Sequence, residues 1–136
     1  MIQYHYNLLI KLKFMISVGM KKFIESNAMG LATIGKNGKP HNIAVAYVKV
    51  VDGKIVISNA HIKKSIKNIS QNNNVSIAIW NKEWEKACVG YGILGKAKNY
   101  TSGKYFDFVC NMPENKGYKI SSAIVVTITK IKKLAV

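Results

Sequence analysis

"GKIVISNAHIKKSIKNISQNNNVSIAI", residues 53–79, sets a short β-branched run, a helical pattern and a second β-branched run end to end. "KIVIS" (54–58) and "VSIAIW" (75–80) read as strands. Between them Ile62, Ile66 and Ile69 fall at i, i+4 and i+7, one apolar stripe of a helix that Asn72 to Asn74 then break. Lys63, Lys64 and Ser65 are thereby expected in an exposed first turn. That is the unfavourable end for a cation, because a helix N-terminus carries partial positive charge and each cation on it costs about 0.3–1 kcal/mol. Two readings fit. The lysines are solvated side chains of a lysine-rich chain, or an anion sits among them. Free backbone N–H groups, a hydroxyl and two ammonium groups around one point describe a phosphate site.

Upstream, "GLATIG" leads into Asn37-Gly38, a type I′ hairpin signal, and Pro40 opens the long run "HNIAVAYVKVV". Asp52-Gly53 makes another tight turn, so a three-strand meander is expected ahead of the helix. In the long run Ile43, Val45, Tyr47 and Val51 share one face, and Asn42, Ala44, Ala46 and Val48 share the other. The small residues of the second face leave room for a flat aromatic ligand, a partner chain or a tightly packed second layer. Further upstream, "MKKFIESNAMG" (20–30) reads as a short helix ending near Asn27, with Phe23 and Ile24 toward the core.

Downstream, a polar connection containing Trp84 leads to "ACVGYGILGKAK" (87–98), whose Gly90, Gly92 and Gly95 signal curvature, a bulge or close backbone approach. "TSGKYFDFVCNM" (101–112) reads as a helix with Tyr105, Phe108 and Val109 inward, stopped by Pro113, and "ISSAIVVTITKIKKL" (120–134) as the last strand. The order β-β-β-α-β-β-α-β is mainly β. Strands in hairpin groups favour an antiparallel barrel over a doubly wound parallel sheet.

Composition narrows the function classes. The chain has 136 residues, 49% hydrophobic and 20% charged, one domain's worth of globular sequence. A net charge of +15 would ordinarily point to nucleic acid or an acidic membrane surface. All 21 basic residues are Lys, however, and base readout and bidentate phosphate clamping favour Arg, so nucleic acid is not the expected partner. Cys88 and Cys110 are far apart, without CxxC spacing or a His cluster, so no metal is implied and a reduced, cytoplasmic setting is expected. "NLLIKLKFMISV" (7–18) is interrupted by Lys11 and Lys13 and fails both as a membrane span and as a signal peptide. With Met15 and Met20 in frame, residues 1–19 read as an N-terminal extension or an over-extended translation start ahead of a domain over 20–136. An extra amphipathic helix or partner-binding arm is the alternative.

The motifs "LATIGKNGKPHNIAVAYV", "GKIVISNAHIKKSIKNISQNNNVSIAI" and "GYGILGKAK", in this order and spacing, resemble the flavin mononucleotide (FMN)-binding split-barrel family that includes pyridoxamine 5′-phosphate oxidase, and most of all its small FMN-binding members. The resemblance runs from about residue 21 to residue 134. It implies an antiparallel six-stranded split β-barrel of Greek-key type with two or three short helices, and a homodimer with FMN in two equivalent clefts at the interface. By position, Lys63, Lys64 and Ser65 would hold the FMN phosphate. Ser58, Asn59 and Ala60 match the stretch whose backbone approaches the flavin, and Asn42, Ile43, Ala44 and Val45 the strand whose main chain lines the isoalloxazine. Ile43 and Val48 stand where pyridoxamine phosphate oxidases carry an Arg and a Lys, and their substrate-binding Arg and His have no counterpart near the C-terminus, so vitamin B6 oxidation is not expected. The family also has members that use a deazaflavin or bind haem.

The expected function is a flavoprotein that passes hydride or electrons through FMN to or from a small substrate or partner. Flavin chemistry needs no protein acid or base. None is evident among Asp52, Asp107 and four Glu. Two alternatives stand beside it. One is a basic β-barrel gripping single-stranded nucleic acid with lysines and Tyr91, Trp80 and Trp84; the other is an FMN carrier or electron-transfer protein without a small substrate.

Overall fold

The computed structural model describes residues 16–134. Two hairpins supply the first four strands. In the first, β1 (Met29–Ile34) pairs with β2 (Pro40–Val45), with Leu31 opposite Ile43. Asn37 and Gly38 turn it at φ 64° and 74°, a conformation that these two residue types adopt at least cost. In the second, β3 (Val48–Val51) pairs with β4 (Lys54–Asn59) across Asp52-Gly53, at φ 54° and 71°. Strands β5 (Asn74–Trp80), β6 (Gly90–Tyr100) and β7 (Ser122–Lys133) complete the sheet. Among the described residues three helices, α1 (Val18–Ser26), α2 (Lys64–Gln71) and α3 (Lys104–Cys110), pack on it.

The fold is mainly β and antiparallel, with seven strands in place of the expected six. The long run over 41–51 is not one strand. At Ala46-Tyr47 it leaves β1 and joins β4, so its two halves lie at opposite edges of the order β2-β1-β5-β6-β7-β4-β3. No three-strand meander forms. The break also overturns the expected facing beyond it: Tyr47 is exposed and Val48 is buried. This connection closes the barrel. Six gaps of about 4.8 Å would set flat edge strands roughly 29 Å apart, whereas Val45 and Val48 are three Cα steps, at most about 11 Å, from each other. The sheet must therefore curl until β2 and β3 approach, leaving the split between them.

Alternation along the strands makes two cores. Inside the barrel lie Leu31, Ile55, Ile57, Ile77, Ile93, Ile124 and Val126, sealed by Ile24 of α1. On the outer side of β4 and β7, Val56 and Val125 face each other under Val109 of α3, with Met112 and Ala123. The segment 122–126 is buried on both faces for this reason. Helix α3 directs Phe106 to this second core, not the expected Phe108, which is 38% exposed. Helix α1 starts at Val18, where the Ser17 hydroxyl accepts from the Met20 N–H (3.1 Å), and Glu25 accepts from the Val50 N–H at 2.8 Å. Phe23 meets Tyr91 edge-on at 5.3 Å. A β-bulge at Leu94/Gly95 lets β7 cross close to β6: a Cβ on Gly95 would lie 2.6 Å from the Thr127 carbonyl oxygen.

Candidate functional site

The turn from β4 into α2 is tethered by side chains. Asn59 is buried; its Nδ2 donates to Ser122 Oγ (2.8 Å) and its Oδ1 accepts from the Ile62 N–H (2.6 Å). Ser58 Oγ accepts from Asn115 Nδ2 at 2.8 Å and donates to Met112 Sδ at 3.5 Å, while the same Asn115 group donates to the Val109 carbonyl. Thus β7 and the segment after α3 together fix the path of residues 58–62. The side chains of Ser58 and Asn59 are committed internally, so what this stretch offers outward is its main chain and half-buried Ala60.

Helix α2 begins at Lys64 with Lys63 as its N-cap; no side-chain oxygen caps it and no acidic residue lies in its first turn. Lys63 and Lys64 are exposed. Ser65 is not: it is fully buried, contrary to the exposed first turn expected from the sequence, and its Oγ has no hydrogen-bond partner. The inward face of α2 is Ser65, Asn68 and Ile69, with Ile62 and Ile66 only partly buried beside it. Asn68, on the same buried face as Ser65, ties α2 to β1 by donating to Thr33 Oγ1 at 3.0 Å. A buried hydroxyl with no partner is costly.

Lys63 and Lys64 form one wall of a cleft of about 970 Å³. Lys67, Asn68 and Gln71 continue that wall along α2, and residues 35–41, with Lys36, Lys39 and His41, make the other. A Cβ on Gly35 would lie 3.5 Å from Asn68 Oδ1, so the turn and the helix are in contact at the cleft floor. The sequence reading missed Lys36, Lys39, His41 and Lys67. The spacing of Lys63, Lys64 and Lys67 on one helix was a usable signal; the pairing with a turn 27 residues earlier was not.

Strand β2 offers Asn42 and Ala44 to solvent, with Ala46 just beyond, while Ile43 is half-buried and Val45 buried in the barrel, so those two can present only main chain outward. The outward residues continue across the sheet in two rows, Ala44–Gly30–Ala78–Gly92 and Asn42–Ala32–Ser76–Leu94. Apart from Leu94 and Asn42, no side chain in them is larger than Ser, which leaves a nearly bare sheet surface. Trp80 ends it, beside an apolar depression of about 420 Å³ lined by Trp84, Cys88, Gly90 and Leu134.

Comparison with known proteins agrees with this architecture. An uncharacterised protein of Methanocaldococcus jannaschii is 28% identical over 120 residues, 85% of this chain and 78% of that protein. The crystal structure of HupZ from Group A Streptococcus superposes with a TM-score of 0.79 at 20% identity, covering 88% of this chain and 94% of that one. An FMN-binding protein from Syntrophomonas wolfei gives 0.74 at 14% identity over 99% of this chain and 95% of its own. The model of the pyridoxamine 5′-phosphate oxidase family matches residues 19–135. With a closed antiparallel barrel whose edges part between β2 and β3, and with that match spanning all the strands, this chain belongs to the pyridoxamine 5′-phosphate oxidase-like split-barrel family.

Proposed function

We propose that this protein is an FMN-binding flavoprotein of the cytoplasm, acting as a homodimer in hydride or electron transfer. The observation that carries the reading is the start of α2: an uncapped N-terminus bearing the exposed Lys63 and Lys64, with no acidic residue in its first turn. A phosphate monoester would be neutralised by the two ammonium groups and accept from free N–H groups of the first turn. The main chain of Asn42 to Val45 and of Ser58 to Ala60 would face the ring, orienting it and tuning its potential. FMN bound there would supply the redox chemistry. The bare face made by β2, β1, β5 and β6 suits a second copy of the chain, since small residues let two sheets approach closely. Two free cysteines fit a reducing compartment.

Purified protein is expected to show the visible bands of a flavin, and heat-released ligand to have the mass of FMN; a haem spectrum, or no chromophore even after incubation with FMN, refutes the reading. Lys64→Ala should weaken FMN roughly 10- to 100-fold, as a charge-assisted hydrogen bond contributes about 1.5–3 kcal/mol. Riboflavin lacks the phosphate, and its weaker binding should hardly change. Equal losses for both ligands would assign Lys64 to the fold or the ring. Light scattering should give twice the chain mass, and a monomer that holds FMN tightly would remove the shared cleft.

A further inference from the structure

We infer that the cleft between α2 and the 35–41 turn holds a second anionic group beside the flavin phosphate, from a ligand with two or more linked phosphates. Five of its eleven lining residues are Lys (36, 39, 63, 64 and 67), and none is Asp or Glu. General lysine richness does not account for this. The neighbouring depression between α2 and β6 has only Lys98 among nine residues, the apolar one beside Trp80 has none, and the one beside α1 has Lys21 alone and includes the acidic Asp52. The ion pairs among the described residues, Lys49–Glu114, Lys86–Glu83 and Lys104–Asp52, engage none of the five.

Charge matching sets the ligand class. Lys63 and Lys64 suffice for a phosphate monoester, which leaves Lys36, Lys39 and Lys67 in the cleft lining with no acidic residue beside them, and Asn37, His41 and Gln71 as further polar groups. Three ammonium groups on two walls held in contact at Gly35 and Asn68 suit a compact group of about three negative charges, a diphosphate. Single-stranded nucleic acid fits less well, because among the described residues the cleft lining has no Phe, Tyr or Trp on which a base could stack. The description of this as a second site, and the count of three lysines left for it, rest on the flavin reading; the five-lysine cleft itself does not.

The test is calorimetric titration of the FMN-loaded full chain with pyrophosphate, ADP and orthophosphate. Pyrophosphate and ADP should bind without displacing FMN, and about tenfold or more tighter than orthophosphate. The double variant Lys36→Ala/Lys39→Ala should lose about tenfold or more for pyrophosphate while FMN affinity stays within about threefold, and the control Lys21→Ala/Lys22→Ala on α1 should change neither beyond about threefold. Tighter binding of ADP than of pyrophosphate identifies a nucleotide as the source; equal binding identifies a bare polyphosphate. Displacement of FMN one for one, equal losses in both double variants, or binding of oligothymidylate without pyrophosphate overturns the inference. Should the chain take up no flavin, pyrophosphate binding that depends on Lys36 and Lys39 would sustain this site and refute the flavin reading alone.

Discussion

Replacing Asn59 by Ala removes the clamp that aims the β4–α2 turn. Asn59 is 4% exposed and makes two hydrogen bonds, to Ser122 Oγ at 2.8 Å and from the Ile62 N–H at 2.6 Å. Each is worth about 0.5–1.5 kcal/mol net, and a buried group left unpaired costs about 1–3 kcal/mol. Ser122, at 2% exposure, has no route to water, whereas the half-buried Ile62 can recover part of its loss. Asn59→Ala should therefore destabilise the protein by about 2–4 kcal/mol, a large share of the 5–15 kcal/mol typical of a domain. Urea unfolding should show a lower midpoint at unchanged slope. Ser122→Ala breaks only one of the two bonds and should cost about 1–2 kcal/mol. In the double variant the two losses should fall short of their sum by about 0.5–3 kcal/mol, because they share a contact. Additive losses, or an Asn59→Ala effect below about 0.5 kcal/mol, would refute the clamp and its role in presenting residues 60–64.

Gly95→Ala should cost about 1–3 kcal/mol in urea unfolding by overpacking, since the new Cβ would meet Thr127 and Val126 at 2.6 Å; a neutral effect would mean that the bulge opens freely. Starting the chain at Met15 should leave stability and flavin content unchanged. Starting it at Met20 should lower stability by about 1–3 kcal/mol, as it removes the Ser17 cap and the core contact of Ile16, and equal stability of the two truncations would contradict the role of Ser17. Hydrogen bonding to Lys49 lowers the pKa of Glu114, and hydrogen bonding to Lys104 lowers that of Asp52. Their folded pKa values lie below the unfolded ones, so the stability they contribute is present above about pH 4 and is lost as pH falls through the folded values. Both groups are solvent-exposed, so the effect is small. The difference in urea midpoint between wild type and Glu114→Gln should shrink on acidification, and a constant difference down to acid unfolding would contradict the pairing.

Local chemistry was legible in the sequence. Asn37-Gly38 and Asp52-Gly53 turn at positive φ because few other residue pairs do so at low cost, and the isoleucine spacing of residues 62–69 gives a helix between two strands. The glycines of β6 announced the bulge that Gly95 occupies. The lysines of the helix start were visible as an electrostatic anomaly, open to solvation or to an anion. Tertiary structure decided the rest. An uninterrupted β-branched run cannot show that it changes partners at Ala46-Tyr47, because strand order depends on which edges meet when the barrel closes. Ser65, Asn68 and Ile69 form the buried face of α2, and Asn68 bonds Thr33 across 35 residues, a contact that the isoleucine stripe does not announce. Lys36 and Lys39 join Lys63, Lys64 and Lys67 in one cleft only when the first hairpin folds against α2. Turn chemistry and periodicity act over a few residues and so can be read along the chain; strand partners, burial and the composition of a cleft depend on the closed barrel and appear only in three dimensions.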